Sequence, residues 1–577
     1  MTRLFPALLA VVLLAGCATI PANTQPKVMV KEDRQPSGGT VAGPARDLDE
    51  FSLVRGFIDN AGNIAAARTY LAPEIRDGWL GTEPPIIIDP NYSTPPVVPP
   101  TGVAETPDVN VKVIQVNATE VGRLRQEGTY YPTVEAPARS YRFVLKRQPD
   151  QQWRIAELPS ARVITKTRFT TAYRRVDLQF FDPAQKVLVP DPRWVSELTD
   201  GGMEVEVVDM LLKGPSQSLA GAVVSALDGV SLHTNVVLDS DNAVRINLTN
   251  LGDKGPEERE RMVAQIVRSL SAVTFNKLRI LDNDSALVPD RQDWRADDLP
   301  AYDVLANPKS DLPGLAVEGR KVVSLRDGKP IEGPTGAGSY DLVSAAQSLD
   351  GSHLAVVERA PGGVRLRVGP AGEELQAVSL DRARSLTRPT WTPGSEEGEA
   401  GNEVWTVLNE TTVVRAVRTT SGWSVLPVNA TELVRGGGRV TELRLSRDGV
   451  RLAAVVNGQV KVAAIVRTGD SVVVSSPRTL QFDKLRQVVG LDWNERTALV
   501  VGTTMAGAAV VSVPLDGFDT TPFQVGNLTL PIKAVAAAPS RPVVVADQVD
   551  LWSASSQSSA FLNDPQGSAA SVPFYPG

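Results

Sequence analysis

Leu445-Ser446-Arg447-Asp448-Gly449, followed two residues on by Leu452-Ala453-Ala454-Val455, reads as the end of a strand, a polar turn and an apolar strand. The same pattern recurs in Leu349-Asp350-Gly351 with Leu354-Ala355-Val356-Val357, in Leu491-Asp492-Trp493-Asn494 with Ala498-Leu499-Val500-Val501, and in Ala538-Pro539-Ser540 with Val543-Val544-Val545. A weaker copy stands at Trp391-Thr392-Pro393-Gly394. Asp350, Gly394, Asp448, Asn494 and Ser540 are separated by 44, 54, 46 and 46 residues, close to the roughly 40 to 50 residues of a four-stranded propeller blade. The length from Leu315 to the end holds about six such units, with five to seven as the range. The spacing therefore predicts an all-β propeller over 310–577. A β-sandwich is the alternative, but it has no reason to reuse one turn at this period.

Upstream, helical periodicity replaces the short β-branched runs. Leu48, Phe51, Val54, Phe57 and Ile58 recur at helical intervals behind Asp47 and Glu50, which stand at capping-box spacing. A second helix is expected from Ile64 to Tyr70, ended by Pro73, and alternating strands at Val111–Val116, Ser140–Leu145 and Trp153–Leu158. Pro84 to Pro107 reads as an irregular surface excursion. This gives a first α+β domain over 47–165.

A second α+β domain is expected over 166–295. Arg175–Phe181 pairs with Lys186–Val189, and Glu204–Leu212 is a helix stopped by Gly214-Pro215. Ser231–Leu238 and Ala243–Leu248 form a hairpin. A helix opens at Pro256 with Glu257 and Glu258 beside its N-terminal dipole and carries Met262, Val263, Ile266, Val267 and Leu270 on one face. Lys277–Leu281 is the closing strand.

Of the 577 residues, 42% are hydrophobic, enough for several cores, and 59 basic against 66 acidic residues are well mixed at a net charge of −7. That balance gives no electrostatic footprint for a nucleic acid. The one cysteine, Cys17, follows Leu14-Ala15-Gly16 at the end of an apolar run from Leu4 that begins behind Arg3. The run is shorter than the roughly 20 residues of a membrane span and has the layout of a secretory signal. Residues 18–46, rich in Pro, Gly, Thr and Gln, read as a tether.

Little in the chain offers catalysis. Only His233 and His353 could supply an imidazole, and both read as structural or surface residues. Spacings for zinc, an EF-hand, a P-loop or a Gly-x-Ser-x-Gly elbow are absent. Gly436-Gly437-Gly438 lacks the lysine and helix of a phosphate loop, so it reads as a loop between blades. Asp282, Asp284 and Asp293, and likewise Glu396, Glu397 and Glu399, read as solvated loop clusters with at most a weak claim on calcium. Asn117-Ala118-Thr119 and Asn247-Leu248-Thr249 fit the glycosylation pattern without a context that favours it. No cofactor or metal is expected, and the chain does not read as an enzyme.

Leu14 to Cys17 resembles a bacterial lipobox. That implies a signal peptide over 1–16, a lipidated tether over 17–46, and Cys17 as an N-palmitoyl, S-diacylglycerol cysteine. The order of elements in the first domain resembles the cone-like nuclear-transport-factor-2 fold. Leu178-Gln179-Phe180-Phe181, Leu211-Leu212-Lys213-Gly214-Pro215, Val244 to Leu248 and Gln265-Ile266-Val267 with Ser269-Leu270 resemble the GerMN domain. Taken together, lipobox, α+β domain, GerMN-like domain and propeller resemble the LpqB family of actinobacterial envelope lipoproteins. The resemblance implies a lipid-anchored protein on the extracytoplasmic face of the cell membrane. It further implies binding to the extracellular domain of an MtrB-like sensor histidine kinase, tuning a two-component system for cell-wall homeostasis and division. A peptidoglycan or wall-ligand binder, read by the GerMN-like domain, is the alternative, and a propeller hydrolase with a channel metal a third.

Overall fold

The computed structural model describes residues 43–95, 108–133, 138–197, 201–300, 302, 308–394, 401–481 and 484–577. The first region opens with helix α1 (Glu50–Asn60), whose cap is Asp49 rather than Asp47: its carboxylate accepts the N–H groups of Phe51 and Ser52. Asp47 has a left-handed backbone and instead exchanges hydrogen bonds with Gln152, at 2.8 and 2.9 Å. Of the periodic residues, Val54, Phe57 and Ile58 are buried and Leu48 and Phe51 half-buried, while Leu53, outside that set, is buried too. Helix α2 (Ile64–Arg68) follows, and Pro73 does not merely end it but opens α3 (Pro73–Arg76), because proline is accommodated in a first turn.

The sheet beneath these helices contains β1 (Ile86–Ile88), β2 (Val111–Leu124), β3 (Tyr130–Pro132), β4 (Ala138–Arg147), β5 (Trp153–Glu157) and β6 (Val163–Thr165). Its order is β5-β4-β2-β1-β6, with β3 on β2. The expected surface excursion is corrected at its start: Ile86-Ile87-Ile88 is a buried central strand, antiparallel to β2 and parallel to β6. Three consecutive isoleucines buried on both faces show no alternation, which is why the pattern did not announce a strand.

The second region runs through α4 (Lys166–Ala172), the pair β7 (Tyr173–Phe181) and β8 (Leu188–Ser196), and α5 (Met203–Lys213), which ends at Gly214 with φ 89°. The expected single strand Ser231–Leu238 is broken into β9 (Ser231–Leu232) and β10 (Val237–Leu238), both antiparallel to β11 (Val244–Thr249). Helix α6 (Pro256–Leu270) crosses to β12 (Leu278–Asp282), parallel to β11. Its apolar stripe, Met262, Val263, Ile266, Val267 and Leu270, is buried, each such side chain contributing about 1.5–3 kcal/mol. Leu278–Asp282 is not the last strand: β13 (Ser285–Ala286) and β14 (Asp293–Trp294) also pair with it.

The C-terminal region is β-rich and propeller-like. Among the described residues, five four-stranded antiparallel sheets follow one another over 342–378, 390–427, 440–479, 488–522 and 534–563, each with its strands in chain order. A three-stranded sheet joins the two ends of the region, Leu315–Glu318 pairing with both Lys321–Ser324 and Val572–Phe574. The repeated motif is the first strand, turn and second strand of each four-stranded sheet. Trp391 and Trp493, each on the first strand of its sheet, are both 1% exposed and donate their indole N–H groups to Ala346 and Arg444 of the preceding sheet.

Where the inner strands meet, the interior is ionic. Arg388 donates to Asp492 at 3.0 Å and to the Pro573 carbonyl at 2.8 Å and lies 3.6 Å from Glu442, while Asp492 also accepts Ala537 N–H. This ties three sheets and the C-terminal strand to one buried charge pair, whose geometry must offset a large desolvation cost.

Candidate functional site

Cys17 and the lipobox residues Leu14, Ala15 and Gly16 lie outside the described residues, as do Glu396, Glu397 and Glu399. His233 is exposed, with Nε2 3.8 Å from Asp284. His353 is not in the repeat turn but opens a strand, packed 6.1 Å from the Trp391 ring, with Nδ1 2.8 Å from Ser352 Oγ. Burial and nearby Arg418 lower its pKa, so the ring is neutral near pH 7.

The acidic residues expected in one solvated loop are separated and paired. Asp282 meets Arg259, Asp293 meets both Lys277 and Arg279, and Asp284 accepts from Asn247. Asn247 is itself fully buried, which excludes glycosylation there. Among the described residues, no group of three or more His, Cys, Asp or Glu is placed to hold a metal ion. No helix among them is long and apolar enough to cross a membrane.

What the structure does assemble is a junction between all three regions. Phe518, in the turn Leu515-Asp516-Gly517-Phe518-Asp519 of the fourth four-stranded sheet, projects into an aromatic cluster of the N-terminal half. Its ring centroid lies 4.6 Å from Trp194, 5.0 Å from Tyr130 and 5.5 Å from Phe169. Asp516 fixes the turn by accepting Phe518 N–H at 3.0 Å. Across the junction it also accepts the Trp194 indole N–H at 3.1 Å and faces Arg175 at 3.3 Å. Trp194 N–H donates to Gly128 of the first region at 2.7 Å. Gly128 has φ 79°, a left-handed conformation that favours glycine, and it packs against the flexible end of Met210.

Arginines complete the junction. Arg451, opening the strand after one repeat turn, and Arg496, within another, donate to the carbonyls of Pro190 and Leu188 on β8, and Arg478 donates to that of Tyr130 at 3.1 Å. Burial lowers the Arg478 pKa, while nearby acidic groups oppose that shift. Asp191 is fully buried, which alone would raise its pKa. The Arg193 guanidinium at 2.7 Å, with Ser216 N–H and Arg451, outweighs burial and holds the carboxyl below its usual range.

The hydrophobic cores also merge, since Val450 and Ala464 of the third four-stranded sheet belong to the core of the second region. The polar turns that announced the repeat thus share one face, and those at Asp448 and Asn494 dock the second region. That docking was not anticipated. The signal available was an arginine, Arg451, where the first repeat carries His353, a second arginine, Arg496, in the turn of the fourth copy, and a phenylalanine beside the acidic residues of the Asp516–Asp519 turn.

Three regions that meet at one junction, the last of them β-rich and propeller-like, define a multidomain scaffold. Residues 43–170 match the family described as lipoprotein LpqB, N-terminal domain, residues 177–287 match sporulation and spore germination, and residues 321–576 match the lipoprotein LpqB beta-propeller domain. Lipoprotein LpqB of Mycolicibacterium smegmatis is 30% identical over 95% of this chain and 94% of its own. That of Rhodococcus opacus is 29% identical over 92% and 90%, and that of Mycobacterium tuberculosis 28% over 94% of each. The chain belongs to the LpqB lipoprotein family.

Proposed function

We propose that this protein is a nonenzymatic accessory lipoprotein, held by acyl groups on Cys17 at the extracytoplasmic face of the cell membrane. There it binds the extracellular domain of a sensor histidine kinase and tunes its output to cell-wall homeostasis and division. In this reading residues 1–16 are the signal peptide and 17–46 the tether. The domains are 47–165, of nuclear-transport-factor-2 type, 166–295, and a propeller over 310–577 whose sixth blade is the sheet that joins its ends. The observation that carries the reading is the three-way junction: one body presents all three domains together, as a platform for a partner requires.

Two acyl chains suffice for stable attachment, and confinement to the membrane plane raises the effective concentration at a membrane-embedded kinase. Modulation then requires different affinities for the kinase's signalling states. The test is phosphotransfer by reconstituted kinase in proteoliposomes with the wild-type protein or Cys17→Ala. The reading expects the anchored protein to change the rate and the variant to do so only at much higher concentration. Equal output with both would contradict it.

A further inference from the structure

A cleft of about 360 Å³ opens between the second region and the propeller-like region, within the range of small-molecule sites and at a domain boundary, where such sites concentrate. One wall is the β7–β8 turn, with Pro183 and Ala184. The opposite wall comes from two adjacent sheets, with Pro393 from one and Val450 and Ile465 from the next. These surfaces are apolar. The polar end is Glu403 with Arg467.

That end has a definite charge. Glu403 Oε1 accepts the Trp405 indole N–H at 2.5 Å and Arg467 Nη2 at 2.7 Å, and Oε2 accepts Arg415 Nη1 at 2.9 Å and Arg467 Nη1 at 3.3 Å. Two guanidiniums against one carboxylate leave a net positive end. Arg415 is 7% exposed, so the cation the cleft can reach is Arg467, at 32%, held in one orientation by its two bonds to Glu403. Burial would raise the Glu403 pKa, but its bonds to Arg467 lower it below the usual range, so it stays ionised and keeps the arginine in place.

Among the described residues, the other carboxylates lining the cleft do not compete for that cation. Asp182 is turned into its own loop, accepting the N–H groups of Ala184, Lys186 and Val187. Asp448 accepts Val450 N–H at 3.2 Å and Arg451 Nη1 at 3.1 Å. The walls are thus preformed, which lowers the ordering cost of binding.

We propose that this cleft binds a small molecule carrying a carboxylate beside an apolar body, the carboxylate on Arg467 and the body between Ala184 and Pro393. A short peptide with a free C-terminus and a simple organic acid share this chemistry. Because the walls belong to two domains, an occupant would fasten them together. The inference stands apart from the kinase reading and survives or fails without it.

The experiment titrates the unlipidated full chain with N-acetyl-alanyl-alanine, its C-terminal amide, and butyrate, by calorimetry and thermal unfolding. The free acid is expected to bind saturably and raise the melting temperature, and the amide about ten-fold more weakly or worse. Tighter binding of the dipeptide than of butyrate points to a peptide source, and the reverse to a simple acid. Arg467→Gln is expected to weaken the free acid by about ten-fold. Ala184→Trp, an exposed turn position whose larger side chain fills the cleft while every charge remains, is expected to abolish binding without lowering the ligand-free melting temperature. No saturable binding of either acid, equal affinity for acid and amide, or unchanged binding by the tryptophan variant would overturn the proposal.

Discussion

Replacing Phe518 with alanine removes the one aromatic ring that the propeller-like region contributes to the junction cluster. The ring is 8% exposed and packs on Trp194, Tyr130 and Phe169, with Lys166 Nζ 5.0 Å from its centroid. Truncating a buried phenylalanine costs about 3–5 kcal/mol, a range that already contains the cavity left behind. Residues 44–577 form one compact unit of roughly 530 residues, whose unfolding entropy at about 2.1 cal/mol/K per residue is near 1.1 kcal/mol/K. If the unit still melts as one, Phe518→Ala lowers its melting temperature by about 3–4 °C. If the lost contacts uncouple the halves, calorimetry shows two transitions instead of one, and protease cuts between them. Phe275→Ala is the control, since that side chain is 95% exposed and is expected to move nothing. A Phe518→Ala protein with a single transition within about 1 °C of wild type would refute the junction as the element that unites the domains.

Other consequences follow from named groups. Asp492→Ala removes the hydrogen-bonded carboxylate of the buried Arg388, leaving only Glu442 3.6 Å away, and should cost up to about 3–5 kcal/mol in denaturant unfolding, more than the removal of an exposed ion pair such as Arg142 with Glu157. Asp191 is held below its ordinary pKa of 3.8 in the folded state. Its contribution is therefore fully present above that value and lost as pH falls through the lower folded value. Melting temperature plotted against pH should fall steeply below about pH 4, and Asp191→Asn should flatten that limb while destabilising the protein at neutral pH. Gly333 has φ 80°, and a Cβ there would lie 2.2 Å from the Gly372 carbonyl oxygen. Gly333→Ala should cost more than about 2 kcal/mol, from left-handed strain and the backbone shift together, and chemical denaturation measures it.

Much of the architecture was written in periodicity. Helix α6 and its buried stripe were readable because Pro256, Glu257 and an apolar face agree with one another. The turns at Asp350, Asp448 and Asn494 were readable because each repeat solves the same local problem, a polar turn between two strands, in nearly the same residues. Ile86–Ile88 was hidden, since a strand buried on both faces carries no alternation and its proline neighbours read as loop.

The split of Ser231–Leu238 into two short strands was equally invisible, because pairing with β11 is interrupted where the chain leaves the sheet. The junction was illegible for a different reason. Arg451, Arg496 and Phe518 act on groups some 260 to 320 positions away in sequence, such as the Pro190 and Leu188 carbonyls and the Trp194 ring. No local pattern encodes a partner at that distance. The cleft at Arg467 is similar: each wall is ordinary alone, and only the docking of β7–β8 on two sheets makes a site of them.

The measurement that bears most directly on the central claim is equilibrium binding of the unlipidated Cys17→Ala chain to the sensor kinase's extracellular domain in nanodiscs, with purified peptidoglycan as the competing surface. The account predicts saturable binding to the kinase that is lost when Phe518→Ala separates the domains, with little retention on the wall polymer. Retention on peptidoglycan with no binding to the kinase domain would contradict it.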